Sequence, residues 1–127
     1  DEAGGLMTTE YLTAYPEDTV EQVIETIRRI SHMHNSIYFI YIIDRSDKFL
    51  GVVSLRRLML ADNSKIMKDL MKNGKKIPTA KVDDELLELA ALITKYNLYS
   101  VAVLNDKRQL LGIVTVDDIM RHFVPHA

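Results

Sequence analysis

The sequence contains no cysteine among its 127 residues, which excludes disulfides, zinc–thiolate sites and cysteine nucleophiles. It also lacks an excess of either charge, with 16 basic and 18 acidic side chains, so its charge does not favour nucleic acid as a partner. No apolar run approaches the roughly 18 residues that a membrane helix needs, since the most apolar stretch, residues 37–43, has only the length of a strand. Serine-elbow and phosphate-loop motifs are missing as well, and the sequence therefore predicts a protein that is not an enzyme.

The residues that are present have the balance of a globular protein. Hydrophobic residues make up 47% of the chain and charged residues 27%, which is enough to bury a core. The N-terminus, Asp1-Glu2-Ala3, is acidic and has no initiator Met. We expect either a piece of a longer protein or a processed N-terminus.

The chain contains one unit copied twice. Thr13-Ala14 recurs 66 residues later as Thr79-Ala80, and residues 50–54 recur 61 residues later as residues 111–115. The difference between the two offsets gives the first copy five extra residues, which we expect in the polar stretch 32–36.

Each copy predicts the order strand, helix, strand, strand, helix. Apolar residues with helical spacing predict the first helix of each copy; they are Val20, Val23, Ile24, Ile27 and Ile30 in the first copy and Leu86, Leu89, Ala90 and Ile93 in the second. We expect Asp18 or Thr19, and Asp83 or Asp84, to cap these helices. The strands are predicted at 38–43, 50–53, 101–104 and 111–114, and the closing helices at 55–60 and 116–123.

The ends of the two copies carry a motif that resembles a known family. The second is Gly112-Ile113-Val114-Thr115-Val116-Asp117-Asp118, and the first has Arg57 where the pattern has its final Asp. A repeated unit of this kind resembles a tandem pair of CBS domains, also called a Bateman module. The resemblance implies an α/β fold in which two β-α-β-β-α repeats, residues 1–66 and 67–127, pack as one pseudo-twofold module.

A narrower set of residues resembles the cytoplasmic domain of MgtE-type magnesium transporters. These residues are Ala3 to Thr8, Tyr11, Ile37 to Asp44 and Ser54 to Arg56. The resemblance implies a homodimeric cytoplasmic module of a membrane protein, lying between an N-terminal domain and a membrane pore that it regulates in response to Mg²⁺. An adenine-nucleotide sensor and a purely structural dimerisation unit are the alternatives.

Thr115 and Asp118 are the first candidates for nucleotide binding. Three residues apart at the start of a helix, they face the same way. A carboxylate can accept both hydroxyls of a ribose, and CBS proteins use this pair toward adenine nucleotides such as ATP or AMP. The simpler alternative is a helix cap with an acid in the first turn. Resemblance to the magnesium transporters adds Phe39, Arg56 and Leu98 as candidates for the base and the phosphates of ATP.

Asn97 and Asp118 are the candidate Mg²⁺ ligands, and only by resemblance to the transporter family. Mg²⁺ requires oxygen ligands and commonly keeps several waters. Asn97 stands where that family has an Asp, and Arg121 stands where it has another acid. Both differences predict weaker cation binding.

Overall fold

The structure is a computed structural model that describes residues 2–30 and 37–123. The five-residue insertion predicted at 32–36 lies outside the described residues. The chain forms two compact units: the first unit is Glu10–Ile77, and the second unit is Asp1–Thr9 together with Pro78–Ala127.

The first unit is a four-stranded sheet with helices. Its elements are β1 (Thr13–Ala14), α2 (Val20–Ile30), β2 (Phe39–Ile43), β3 (Phe49–Ser54), α3 (Leu55–Leu60), α4 (Met67–Leu70), β4 (Lys72–Asn73) and a short 3-10 helix (Gly74–Lys76). The strand order is β1-β2-β3-β4, with β1 parallel to β2 and the other pairs antiparallel. Its core comprises Leu12, Ala14, Val20, Val23, Ile40, Ile42, Val53, Leu58, Met67 and Leu70.

The second unit repeats this plan with three strands. Its elements are α1 (Ala3–Leu6), β5 (Thr79–Lys81), α5 (Leu86–Tyr96), β6 (Ser100–Leu104), β7 (Leu110–Thr115) and α6 (Val116–Phe123). The strand order is β5-β6-β7, parallel and then antiparallel. Its core comprises Ala3, Leu6, Ala80, Leu89, Ile93, Val101, Val103, Val114 and Ile119. The two-repeat α/β architecture predicted from the sequence is confirmed.

The helix caps agree with those predicted from the sequence in the first repeat only. Thr19 caps α2, because its Oγ1 accepts from the Gln22 N–H at 3.1 Å and the Gln22 side chain accepts from the Thr19 N–H at 2.8 Å. The prediction of Asp83 or Asp84 as the cap of α5 is wrong, since Glu85 occupies that position. Asp84 instead accepts from the Lys81 N–H at 2.8 Å, which closes the turn before the helix.

A short helix that the sequence did not predict completes each unit. In the second unit, the Ala3 N–H of α1 donates to the Asp84 carbonyl at 2.8 Å, and in the first unit, the Met67 N–H of α4 donates to the Asp18 carbonyl at 2.9 Å. These bonds are equivalent in the two repeats. The helix that precedes the first repeat therefore belongs to the second unit, and the helix that precedes the second repeat belongs to the first.

Glycines of the repeated motif make room for the segment that follows each short helix. Gly51 of β3 pairs with Asn73 of β4, and a Cβ at Gly51 would overlap the Lys72 carbonyl oxygen. At Gly112 a Cβ would lie 2.9 Å from the Thr8 carbonyl oxygen. The motif glycine is thus needed for close backbone approach in both units.

Candidate functional site

Thr115 and Asp118 lie together at the junction of β7 and α6, as their spacing predicts. The Thr115 Oγ1 accepts from the Asp118 N–H at 3.1 Å, and the Asp118 Oδ2 accepts from the Thr115 N–H at 2.9 Å. This reciprocal pair is a capping box with Asp in the place of the usual Glu. The two side chains therefore form a helix cap, which was the simpler of the two alternatives considered for them.

The second oxygen of Asp118 has a partner as well. Its Oδ1 accepts from Nη1 of Arg121 at 3.1 Å, one helical turn further on. The Asp118 side chain is 16% exposed and the Arg121 side chain 75% exposed. Because each carboxylate oxygen can accept more than one bond, a ligand can add to the Oδ2 cap. At Oδ1 the ligand has to compete with the exposed Arg121 guanidinium.

The equivalent position of the first unit lacks the carboxylate. Ser54 Oγ accepts from the Arg57 N–H at 3.1 Å and caps α3. The Arg57 side chain cannot accept a reciprocal bond from the Ser54 N–H, because a guanidinium only donates hydrogen bonds. Only the second unit has an acid that could hold a ribose or a cation at this point.

Phe39 and Arg56 lie near the same end of the first unit's sheet. Phe39 begins β2 and pairs in register with Ser54, the last residue of β3. Arg56 follows two residues later on α3 and is exposed, while Phe39 is half-buried. The unit therefore offers an apolar ring and an exposed guanidinium near the end of one strand pair.

Asn97 and Leu98 form the C-terminal end of α5 in the second unit. Asn97 has φ 53° and ψ 49°, the left-handed conformation that Asn tolerates better than most residues. The Leu98 N–H donates to the Ile93 carbonyl at 3.0 Å, and Leu98 packs against the core. Helix termination accounts for both residues. Leu98 belongs to a different unit from Phe39 and Arg56, so their joint role in ATP binding stays a prediction.

The acidic residues that the structure describes do not gather into an evident metal centre. Among residues 2–30 and 37–123, no group of three or more Asp, Glu or His side chains is placed to hold a metal ion. Asn97 and Asp118, the candidate Mg²⁺ ligands, both belong to the second unit. They supply one amide oxygen and one carboxylate, an incomplete set for Mg²⁺ unless waters or another chain segment complete it.

An ion pair of the first unit was not foreseen from the sequence. Arg45, in the β2–β3 loop, lies 2.6 Å from Oε1 of Glu17 and 3.7 Å from the centre of the Tyr15 ring. A hydrogen bond from its own backbone N–H, followed by the Arg45 guanidinium, lowers the pKa of Glu17. The partners are 28 residues apart, so no local spacing signals the contact.

Two surface grooves lie away from the candidate residues. One, of about 540 Å³, lies in the first unit between β1 and α2. The other, of about 620 Å³, lies in the second unit and is lined by Glu2, Gly5, Glu85, Leu86 and Leu87. No described helix has the length and apolar character needed to cross a membrane.

Comparison with known proteins settles the family. A family model of the CBS domain matches residues 3–64 and again residues 67–125. This chain belongs to the CBS-domain family. The magnesium transporter MgtE of Thermus thermophilus is 38% identical over 120 residues, which are 94% of this chain and 26% of that protein. The chain thus spans about a quarter of the length of this curated relative.

Solved structures agree with the sequence comparison. The cytosolic domain of the Mg²⁺ channel MgtE, crystallised in complex with ATP, superposes with a TM-score of 0.90 at 37% identity, over 96% of this CBS pair and 48% of that chain. The soluble part of a magnesium transporter gives a TM-score of 0.89 at 31% identity, over 96% and 47% of the two chains. The resemblance read from the sequence is confirmed, and the chain is homologous to a regulatory module of a magnesium transporter.

Proposed function

We propose that this CBS pair senses Mg²⁺ at the cytoplasmic face of a membrane and gates an attached transport pore. The observation that carries the proposal is the likeness to the cytosolic domain of the Mg²⁺ channel MgtE, at 37% identity and a TM-score of 0.90. The role requires no catalysis by the module. It requires a pore in the same chain and, in our proposal, a homodimer.

Gating by a ligand requires that the ligand bind one conformation better than the other. A divalent cation does so when acidic surfaces repel each other in its absence and approach when it is bound. The second unit has nine acidic and five basic residues, so such repulsion is available. In this proposal Asp118 contributes a carboxylate oxygen, Asn97 contributes its amide oxygen, and the N-terminal domain supplies further ligands.

In this proposal, Arg121 determines the Mg²⁺ concentration at which the sensor responds. Its guanidinium occupies Oδ1 of Asp118 at 3.1 Å, so a cation must displace it or share the oxygen. Three-quarters of the Arg121 side chain is exposed, and an exposed ion pair of this kind contributes only about 0–1 kcal/mol. We therefore propose a sensor that responds to Mg²⁺ but needs a higher concentration than one with an acid at this position.

Nucleotide binding is the second proposed property. It is supported by the ATP complex of the homologous cytosolic domain. Asp118 would accept the ribose hydroxyls, Arg56 would pair with phosphate oxygens, and Phe39 and Leu98 would contact the base. The absence of a carboxylate at Arg57 favours a single nucleotide rather than two equivalent ones.

Thermal unfolding of the chain with Mg²⁺, Ca²⁺, ATP and AMP, each added separately, tests these proposals. A ligand at 100 times its dissociation constant stabilises the folded state by about 2.7 kcal/mol. Stabilisation by Mg²⁺ supports the cation sensor, whereas stabilisation by ATP or AMP alone supports the alternative of a nucleotide sensor. If no ligand changes the midpoint, none of the four is bound by the CBS pair alone, and the N-terminal domain becomes a necessary part of any sensor.

A further inference from the structure

The two units carry opposite net charges. Between residues 10 and 77, the first unit has eleven basic and nine acidic side chains, whereas the second unit has five basic and nine acidic ones. The chain's net charge of −2 therefore conceals a positive first unit and a more strongly negative second unit. Such an asymmetry indicates a partner for the basic part.

Five of the eleven basic residues of the first unit lie in one short segment. We call it the lysine surface, comprising Lys65, Lys68, Lys72, Lys75 and Lys76. All five side chains are exposed, and Asp69 is the one acid within the segment. In the described part of the chain none of the five takes part in an ion pair.

The fold holds this segment in place while its lysines point to solvent. The Val20 N–H donates to the Lys65 carbonyl at 2.8 Å, and the Lys68 N–H donates to the Pro16 carbonyl at 2.8 Å. Helix α4 buries Met67 and Leu70, which leaves Lys68 exposed. The charges are therefore presented by a fixed backbone rather than by a loose tail.

Protection of the sheet edge explains only part of the lysine surface. Strand β4 is the edge strand of its sheet, and lysine is a common guard against edge-to-edge association. That reason applies to Lys72. The other four lysines lie on the preceding loop, on α4 and on the 3-10 helix, where there is no free edge to protect.

The pattern also distinguishes between kinds of anionic partner. No aromatic residue occurs between positions 50 and 95, so the segment that carries the lysines has no ring of its own for stacking on unpaired bases. The lysine surface lines neither of the two grooves described above. Exposed point charges spread over twelve positions match an extended anionic plane.

We propose that the lysine surface docks on the anionic headgroups of a lipid bilayer. This inference goes beyond the proposed function, which supplies the nearby membrane. It does not depend on Mg²⁺ or nucleotide binding. Each lysine near an anionic membrane strengthens association by about fivefold.

Co-sedimentation of the chain with vesicles tests the proposal. We expect binding to phosphatidylcholine vesicles that contain phosphatidylserine, none to vesicles of phosphatidylcholine alone, and loss of binding at about 1 M salt, where the Debye length is about 3 Å. The triple variant Lys68→Gln, Lys72→Gln, Lys75→Gln should bind the anionic vesicles about 100-fold more weakly.

A matched variant controls for overall charge. Lys48→Gln, Lys95→Gln, Lys107→Gln removes the same charge from exposed lysines outside the lysine surface, and it should bind nearly as well as the parent. Both variants should keep the parent's melting temperature. The proposal would be overturned if the two variants lost vesicle binding equally, or if the parent did not bind anionic vesicles. Binding to polyglutamate without binding to vesicles would also overturn it, and would indicate an acidic protein partner.

Discussion

Replacement of Asp118 separates its role as a helix cap from its proposed role as a ligand. In Asp118→Ala, the Thr115 N–H loses an acceptor at 2.9 Å and Arg121 loses one at 3.1 Å. A hydrogen bond to a charged group contributes about 1.5–3 kcal/mol in a buried setting. Because the carboxylate is 16% exposed, we expect about 1–2 kcal/mol of destabilisation, with only a few tenths from the exposed Arg121 pair.

Thermal unfolding followed by far-ultraviolet circular dichroism measures this loss. For a chain of this size, about 1–2 kcal/mol lowers the melting temperature by about 4–8 °C. Asp118→Asn is the partner variant, because its amide oxygen can still accept from the Thr115 N–H while the charge is gone. It should retain most of the stability and lose binding of Mg²⁺ or ribose.

The equivalent change in the first unit provides the control. Arg57→Asp places a carboxylate three residues after Ser54, whose Oγ already accepts from the N–H of residue 57 at 3.1 Å. It should form the missing half of the capping box and leave stability unchanged or raise it by about 0.5 kcal/mol. The reasoning is refuted if Asp118→Ala melts with the parent, or if Asp118→Asn is as unstable as Asp118→Ala.

Two further predictions concern stability. Gly51→Ala should destabilise the first unit by about 3 kcal/mol in urea unfolding, because the new Cβ meets the rigid carbonyl of Lys72; Gly112→Ala should cost less, since part of its clash is with a flexible Met7 side chain 2.7 Å away. An equal loss of stability in the two glycine variants would contradict this prediction. The pKa of Glu17 is lowered by the bond from its own backbone N–H and then by Arg45, so the unfolded chain binds this proton more readily. The contribution of the Glu17 carboxylate to stability is therefore present above the ordinary Glu pKa and is lost as pH falls through the lower folded value. The acid loss of melting temperature should be shallower in Glu17→Gln, and a profile identical to the parent's would rule this out.

The helices and strands with strong periodicity were predictable from the sequence. The closing helices were predicted at 55–60 and 116–123, and they begin and end at those residues. Strand β2 begins one residue after its predicted start. In these segments the apolar spacing and the burial agree, so local pattern and tertiary structure require the same residues.

The short helices α1 and α4 and the edge strand β4 were not predictable in the same way. Each short helix has four residues, too few to show a period, and its bonds reach residues far away in the chain. A signal did exist, because Leu6-Met7 recurs as Leu70-Met71. That recurrence extends the internal repeat to the segment before each strand-helix unit.

The candidate site residues likewise divide into those that local spacing predicts and those that it does not. The Thr115–Asp118 contact follows from local helix geometry, and the spacing of three residues was sufficient to predict it. Combining Phe39, Arg56 and Leu98 requires two units to cooperate, which local spacing does not encode. The resemblance to a family supplied that grouping, and binding measurements have to test it.

The proposed function is that this CBS pair makes a transport pore sensitive to Mg²⁺. The direct test replaces the matching 120-residue region of Thermus thermophilus MgtE by this chain and measures Mg²⁺ flux into vesicles as internal Mg²⁺ is varied. We predict that flux falls as internal Mg²⁺ rises, at a higher concentration than in the parent transporter, and that Arg121→Asp shifts the response to lower concentration. Flux that stays constant across the titration in a folded, conducting chimera would contradict the proposed function.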